Sequence, residues 1–359
     1  MKRLIYLGIL FLAVMSCSEN GTDAAIEASE TVNFISAVDI SSYPEIANSN
    51  PTFYNLSSDS QDFLNILKEN GVNTIRLRLW VNPSNQHSGF NGVQQFSGTL
   101  KARGFKTWLS LHYSDDWADP GQQKVPEKWE GIPFADLKDS VYNYTKKVVQ
   151  DINPDYIQIG NEINNGFLHP YGHFTNNNSQ CIELLRSGIS AVRDNSTNTQ
   201  IILHFAGIAG ADWFFNQVNN LNYDIIGLSY YPIWHGKSLQ NLSNTMYQLA
   251  NNYNRKIVIA ETAYPFTLGW NDWTNNIVGL EDQLILPAYP ATEQGQAQFI
   301  KKIRELTLET PNGIGFCYWG AELIAWKGTQ ATNASPWENQ ALFNFQNQAL
   351  PVLREFKNN

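Results

Sequence analysis

Two apolar stretches of the sequence each end on a glutamate. The first runs from Tyr156 to the neighbouring pair Asn161 and Glu162, and the second runs from Arg255 to Glu261. Hydrolysis of a glycosidic bond uses two carboxyl groups, because one donates a proton to the leaving oxygen while the other attacks or stabilises the oxocarbenium-like centre. A glutamate can also simply end a strand at the surface. Two such strand ends, with an amide beside one of them, favour the catalytic interpretation.

Both stretches belong to a regular alternation of β-like and helix-like segments. The segments between the β-like runs carry apolar residues at helical spacing, as in the series Phe134, Leu137, Val141 and Val148. Such stripes predict helix faces packed on a core. The predicted strands span residues 32–40, 72–80, 105–112, 154–161, 200–205, 223–230, 257–261 and 314–319.

Strict alternation of strand and helix implies a parallel sheet, and eight units favour a closed (β/α)8 TIM barrel over an open doubly wound sheet. No Gly-x-Gly-x-x-Gly motif follows an early strand, so a dinucleotide-binding fold loses its main support. A barrel places the C-terminal ends of all its strands at one mouth. We therefore expect Glu162 and Glu261, at the ends of strands four and seven, to meet in a cleft formed by long βα loops.

Strand two contributes two arginines to the predicted mouth. Arg76 and Arg78 lie two residues apart and therefore on the same side of the strand. The helix-packed side cannot hold two guanidinium groups cheaply, so the pair is expected to face carboxylates in the interior. Arg78, closer to the strand's C-terminal end, is predicted to orient Glu261. Arg76 is predicted to form a structural ion pair in the barrel core.

The loops that follow strands three, six and eight are rich in aromatic and hydrogen-bonding residues. A sugar presents hydroxyl groups at its edge and C–H groups on its face, so a sugar site needs flat aromatic platforms and fixed donors and acceptors. Buried packing is the alternative role for any single tryptophan. The candidate substrate-binding residues in these loops are His112, Asp115, Asp116, Tyr230, Trp234, His235, Trp319, Trp326 and Trp337.

Size and charge narrow the classes of function. The 359 residues are 43% hydrophobic and 13% aromatic, which is enough for two ordinary domains or one large barrel. The 24 basic against 33 acidic residues give a net charge of −9, which disfavours nucleic acid and strongly anionic polysaccharides as partners. The three cysteines show no C-x-x-C spacing, so neither a zinc site nor a disulfide framework is predicted.

The N-terminus has the pattern of an export signal. Lys2 and Arg3 precede an apolar run at 4–14, which is too short to predict a helix that spans a bilayer. The run closes on Val14-Met15-Ser16-Cys17, which resembles the bacterial lipobox, so residues 1–16 are predicted to be a signal peptide and Cys17 a lipidated anchor. An ordinary cleaved signal is the alternative. Residues 17–31 are predicted to be a flexible tether, and 32–359 the barrel, exported and held at the cell envelope, with the cell surface left open as its location.

Several motifs resemble glycoside hydrolase family 53, the endo-β-1,4-galactanases of a large clan of (β/α)8 glycosidases. The Asn-Glu pair at 161–162 is shared by the whole clan, whereas the segment His-Tyr-Ser-Asp…Trp-Ala-Asp-Pro-Gly at 112–121 is specific to this family. The matching stretches follow the order of the barrel and lie at 38–42, 75–83, 112–121, 158–163, 229–236 and 260–265.

The resemblance implies a role for each matching residue. Glu162 corresponds to the acid/base and Glu261 to the nucleophile of a retaining mechanism, and Asn161 to the residue that holds the sugar 2-hydroxyl. Residues near the subsite next to the cleaved bond correspond to Asp39, His112 and Tyr230. The implied substrate is β-1,4-galactan or type I arabinogalactan, cleaved internally by a monomer that requires no cofactor.

In some bacterial members of the family that this sequence resembles, the loop after strand seven carries a calcium site. In this sequence the loop at 269–276 offers Asn271, Asp272 and Asn275 as weak candidates, with one carboxylate and no histidine. Calcium takes six to eight oxygens, several of them from carboxylates. Structural calcium is therefore possible but not favoured.

Two other functions remain open at this point. A β-glycanase of the same clan acting on mannan, xylan or glucan would carry the same Asn161-Glu162 pair. A surface glycan-binding protein without activity could use a degenerate barrel, although such a protein has no reason to keep both Glu162 and Glu261.

Overall fold

A closed barrel of eight parallel strands forms the centre of the protein. The structure, a computed structural model, describes residues 34–357. Each strand pairs with its neighbours in chain order, and β8 closes the barrel against β1. The predicted (β/α)8 fold is confirmed. The strands are β1 Ile35–Asp39, β2 Thr74–Leu79, β3 Lys106–Leu111, β4 Tyr156–Ile159, β5 Gln200–Ala206, β6 Ile225–Ser229, β7 Lys256–Thr262 and β8 Gly313–Trp319.

Helices connect successive strands around the outside. They are α1 Tyr43–Ala47, α2 Phe63–Glu69, α3 Phe90–Ala102, α4 Phe134–Ile152, α5 Asn178–Asn195, α6 Ala211–Val218, α7 Pro232–His235, α8 Leu239–Tyr253 and α9 Glu293–Glu309. Short 3₁₀ turns lie at Glu127–Trp129, Glu281–Gln283, Glu338–Gln340 and Pro351–Phe356. The predicted apolar stripe of α4 is buried at Leu137, Val141 and Val148. No helix within 34–357 is long and apolar enough to cross a membrane.

The barrel interior has an apolar floor and a polar layer above it. The floor is a cluster of buried side chains that consists of Ile35, Ala37, Trp108, Tyr156, Ile202, Ile225, Val258, Ala260, Ile314 and Cys317. Because side chains alternate along a strand, the residue two positions after a floor residue also points inward, closer to the mouth. On β1 this places Asp39 above Ala37, and on β5 it places His204 above Ile202. The polar layer is therefore carried on a rigid base.

Glycine allows the last strand to close the barrel. Gly315 on β8 lies opposite Ile35 on β1 and has a φ of +154°. A Cβ at this position would lie 2.2 Å from the carbonyl oxygen of Ile35, well inside van der Waals contact. The close approach of β8 and β1 therefore requires a residue without a side chain.

The predicted strands differ from the observed ones mainly at their ends. Strand four was expected to run to Asn161, but β4 ends at Ile159 and the chain then turns through Gly160, which has a φ of +79°. The predicted signal peptide at 1–16, the anchor Cys17 and the tether at 17–31 lie outside the described residues. The same holds for the first residues of the barrel domain predicted to start at 32.

Candidate active site

The two predicted catalytic glutamates meet at the mouth of the barrel. Glu261 belongs to β7, whereas Glu162 follows the turn after β4 and has a φ of +47°, which is rare for a residue with a side chain. One carboxylate oxygen of each and a ring nitrogen of His204 lie within 4.8 Å of one another. Both carboxylates line a cavity of about 420 Å³. This separation is close to that of the carboxyl pair in a retaining glycosidase and well below that of an inverting one.

A buried arginine holds Glu261. Arg76 Nη2 lies 2.7 Å from Glu261 Oε1, and Arg76 Nη1 lies 2.8 Å from Asp39 Oδ2. The Tyr231 hydroxyl donates to Glu261 Oε2 at 3.0 Å, and burial together with the nearby carboxylates raises the pKa of Tyr231 well above its usual range. Arg76 also donates to Asn161 Oδ1 at 2.8 Å. A charged donor and a neutral donor thus hold the two oxygens of Glu261 in place.

The environments of the two glutamates differ. Burial raises the pKa of Glu162 to about 8, and the negative charge of Glu261 adds to this. Burial also raises the pKa of Glu261, but the Arg76 guanidinium acts in the opposite direction. Within 34–357 Glu162 has no ion pair with a basic side chain. Glu162 is therefore the carboxyl group suited to hold a proton, and Glu261 the one suited to stay ionised.

Aromatic rings form the walls of the cavity. Five indole rings follow one another edge to face across the mouth, with centroids 5.4 Å apart for Trp80–Trp117, 5.8 Å for Trp117–Trp319, 6.3 Å for Trp319–Trp337 and 6.0 Å for Trp337–Trp234. We call this set the indole row. Four of its members line the cavity, and Trp80 packs behind Trp117. The indole Nε1 of Trp319 is buried without a hydrogen-bond partner among the described residues, which leaves a donor for a bound molecule.

Comparison with known proteins identifies the family. The sequence profile of glycosyl hydrolase family 53 matches residues 35–356. The chain belongs to glycosyl hydrolase family 53. It is therefore a glycoside hydrolase, and the paired carboxylates lie where such an enzyme needs them.

Individual relatives of family 53 cover nearly all of the chain. An endo-β-1,4-galactanase of Bacillus subtilis is 32% identical over 95% of this chain and 94% of its own length. An arabinogalactan endo-β-1,4-galactanase of Cellvibrio japonicus is 34% identical over 82% of this chain and 83% of its own. Among solved structures, the family 53 catalytic domain of Ignisphaera aggregans superposes with a TM-score of 0.85 at 38% identity, covering 92% of this chain and 97% of that one.

The arginine predicted to orient Glu261 was the wrong one of the pair. Arg78 instead hydrogen-bonds Ser88 Oγ at 2.9 Å and Ser42 Oγ at 3.1 Å, and it stacks 4.5 Å from the Trp117 ring. An arginine side chain extends several ångströms beyond its own Cα. The arginine deeper in the barrel therefore reaches the level of the carboxylates, while Arg78 extends past them into the loops.

The tyrosine predicted to lie near the cleaved bond was also off by one position. Tyr230 is fully buried, and its hydroxyl donates to the Gly236 carbonyl at 2.7 Å. Ser229, the last residue of β6, points inward to Glu162, so alternation turns Tyr230 outward and Tyr231 inward again. Alternation counted from Ser229 is the sequence signal that would have selected Tyr231.

The other predicted substrate-binding residues fall into two groups. Asn161, Trp234, His235, Trp319 and Trp337 line the cavity together with the glutamates. Asp39, His112, Asp115, Asp116 and Trp326 lie outside that lining. Besides Tyr231, the sequence-based prediction omitted the lining residues Trp117, which is 41% exposed, and Asp119. Both belong to the family-specific segment at 112–121, so the segment itself was the available signal.

Several residues of the second group support the walls of the site. His112 Nδ1 accepts hydrogen bonds from Trp80 Nε1 at 3.1 Å and from the backbone N–H of Ala118 at 3.3 Å. Burial and the nearby arginines hold the pKa of His112 well below its usual range, so the ring is neutral. Asp115 accepts from the backbone N–H groups of Asn82 and Glu127, which fixes the loop after β3.

Two exposed or half-exposed candidates also have defined contacts. Asp116 is exposed and lies 3.6 Å from the Lys124 ammonium group. Trp326 is half-buried under the Lys327 ammonium group, 4.7 Å from its ring. Neither side chain reaches the cavity in this arrangement.

The loop after β7 places the three weak metal candidates in different surroundings. Asp272 is buried, with Oδ1 accepting from the Thr274 backbone N–H, whereas Asn275 is exposed. Asn271 donates its backbone N–H to Glu338 Oε1 at 2.6 Å. Structural calcium on this loop therefore stays a prediction. At Glu162, His204 and Glu261, a cation would lie beside the Arg76 guanidinium, which does not fit a metal site.

Proposed function

We propose that this enzyme hydrolyses β-1,4-galactosidic bonds inside galactan or type I arabinogalactan chains. The observation that carries the proposal is the pair of carboxylates within 4.8 Å of each other, one of them held by a buried arginine, in a chain of family 53. The substrate class is supported by the relatives named endo-β-1,4-galactanase and arabinogalactan endo-β-1,4-galactanase.

The proposed mechanism retains the anomeric configuration in two steps. Glu162 gives its proton to the glycosidic oxygen while Glu261 attacks the anomeric carbon, so the sugar–oxygen bond breaks as a galactosyl-enzyme ester forms. Glu162, now ionised, then takes a proton from water, which attacks the same carbon and releases Glu261. The close spacing of the carboxylates supports retention, and the Arg76 contact supports Glu261 as the nucleophile. The chemistry uses carboxylates alone, so we propose that no cofactor is required.

The walls of the cavity suit a neutral sugar chain. The indole row offers flat faces for the C–H surfaces of galactose, and Asn161 has one amide hydrogen left after its Nδ2 donates to the Ala118 carbonyl at 2.8 Å. We propose that this amide holds the sugar 2-hydroxyl. The overall negative charge disfavours polygalacturonate as a substrate.

A reducing-sugar assay on a panel of polysaccharides tests the substrate. We expect fast hydrolysis of linear or lightly branched β-1,4-galactan and negligible hydrolysis of polygalacturonate, xylan and mannan. Faster cleavage of mannan, xylan or glucan would contradict the galactanase proposal while leaving the carboxylate pair intact. A β-1,4-mannanase of another family shares the fold at 14% identity, which makes mannan the most informative negative substrate. Binding to galactan without any cleavage would instead support a non-catalytic glycan-binding protein.

Location and assembly form part of the proposal. We propose that the enzyme is exported and tethered to the cell envelope by a lipid on Cys17, because the apolar run at 4–14 closes on a lipobox-like sequence. We also propose that it works as a monomer, since all the residues assigned to the reaction come from one chain.

A further inference from the structure

Two residues from neighbouring strands form a hydrogen-bonded row that ends on Glu162. The Ser229 hydroxyl on β6 donates to Glu162 Oε1 at 2.5 Å. The His204 ring on β5 lies behind it, with Nε2 at 2.8 Å from Ser229 Oγ. Both residues are fully buried, and the cavity lining does not include either of them. They therefore act on Glu162 rather than on a bound sugar.

The surroundings of His204 decide which ring nitrogen carries the proton. Gln158 Oε1 faces Arg76, so its Nε2 amide group is turned toward His204 Nδ1 at 2.9 Å, Asn161 Oδ1 at 2.9 Å and the Gly160 carbonyl at 3.0 Å. The backbone N–H of Glu162 also points at Nδ1, at 3.4 Å. Two donors at Nδ1 make it an acceptor, so the proton resides on Nε2 and is donated to Ser229. Burial and the Arg76 charge hold the pKa of His204 well below its usual range, so the ring is neutral.

The opposite tautomer has a weaker set of partners. With the proton on Nδ1, His204 would donate to Asn161 Oδ1 at 3.2 Å. That oxygen already accepts from Arg76 at 2.8 Å and lies 2.9 Å from the Gln158 amide, so its two lone pairs have better donors. The backbone N–H of Glu162 would also be left facing another donor at Nδ1.

We infer that Ser229 and His204 are positioning residues that force the catalytic proton of Glu162 onto Oε2, the oxygen left for the substrate. The inference rests on the proposed role of Glu162 as acid/base. Because His204 donates to Ser229, the single hydroxyl hydrogen of Ser229 must point at Oε1. A proton on Oε1 would then face another hydrogen, so the neutral carboxyl group carries it on Oε2. Among the described residues Oε2 has no hydrogen-bond partner.

The same contact affects the acidity of Glu162. Donation from Ser229 stabilises the ionised form and so lowers the pKa of Glu162, opposing burial. The other charged groups that face Glu162 are Glu261 from β7, Arg76 from β2 and Asp119 from the loop after β3. All three remain in place when only the Ser229 oxygen is removed. A change in the pH profile can then be assigned to the hydrogen bond.

The variant Ser229→Ala separates this role from a merely structural one. We would measure kcat/KM on galactan, whose leaving oxygen needs a proton, and on a dinitrophenyl β-galactobioside, whose leaving group does not. Because the Glu162 carboxyl group then loses the hydrogen bond that fixes both its orientation and the position of its proton, we expect kcat/KM on galactan to fall by about tenfold or more while that on the activated substrate stays within about twofold. We also expect the alkaline limb on galactan to move up by about one pH unit.

A matched control removes the hydroxyl group of another buried serine of the barrel, which does not line the cavity. Ser36 on β1 is fully buried, and its hydroxyl has no partner among the described residues. Ser36→Ala should leave the ratio of the two kcat/KM values and the alkaline limb unchanged. Because the ratio does not depend on how much enzyme is folded, loss of stability alone cannot produce the expected result.

Each outcome decides the matter. An equal loss on both substrates, or an unchanged alkaline limb in Ser229→Ala, overturns the inference while leaving Glu162 as the acid. A wild-type enzyme that does not cleave galactan, or a Glu162→Gln variant with normal activity on it, overturns the proposed function instead.

Discussion

At the residue scale, the protonation of Glu162 should set the upper pH limit of the reaction. The first step needs Glu162 protonated, and burial raises its pKa to about 8. As pH rises through that value the proton is lost, so kcat/KM on galactan should fall with a limb near pH 8. An activated dinitrophenyl substrate, which needs no proton, should show little of this limb. A pH–rate profile on both substrates checks the assignment, and a limb of equal depth on both would contradict it.

The variants that lack Glu261 or Glu162 should give different products with azide. In Glu261→Ala, azide can replace the nucleophile on an activated galactoside and should give the α-azide, of inverted configuration. In Glu162→Ala, the galactosyl-enzyme still forms on the same substrate, and azide should capture it as the β-azide. Proton NMR of the products distinguishes the two anomers. Azides of the same configuration from both variants would show that the roles are assigned wrongly.

At the element scale, the close approach of β8 to β1 makes Gly315 a critical position for stability. A Cβ there would lie 2.2 Å from the Ile35 carbonyl oxygen, so Gly315→Ala must push the closing strands apart. We expect a loss of about 3 kcal/mol or more in the free energy of unfolding. Urea unfolding followed by circular dichroism measures it.

The matched control for this prediction is a glycine on the surface of a helix. Gly98 lies within α3, and a Cβ there would meet nothing within 4 Å. Gly98→Ala should therefore raise the free energy of unfolding by about 1 kcal/mol. Similar stability changes in both variants would mean that the barrel closure tolerates a side chain.

The strands could be predicted from the sequence, whereas the contacts between side chains of different strands could not. Alternation of β and helical patterns is local in the sequence, and it was enough to predict all eight strands and the meeting of Glu162 with Glu261. Whether Arg76 or Arg78 reaches Glu261 depends on strand tilt and side-chain reach, which the sequence does not show directly. The hydrogen bonds of His204 and Ser229 join strands whose register is set only by the folded barrel.

At the scale of the whole molecule, the predicted anchor should decide where the enzyme is found. Cys17→Ala should release the protein from the membrane fraction or stall its maturation, because the proposed lipid would attach to that thiol. Cys181→Ala, which removes a buried thiol of α5, should leave fractionation unchanged. Immunoblots of membrane and soluble fractions measure both. Membrane association that persists in Cys17→Ala would show that another part of the chain holds the enzyme there.

The indole row should also make the intrinsic fluorescence of the enzyme sensitive to substrate binding. Neighbouring indoles with centroids 5.4 to 6.3 Å apart exchange excitation energy, so light absorbed by one ring is emitted from whichever member has the lowest-energy surroundings. A sugar chain lying on any exposed ring removes water from it and changes the emission of the whole row. Substrate binding to the inactive Glu162→Ala variant should therefore be readable as a shift in intrinsic fluorescence, without any label.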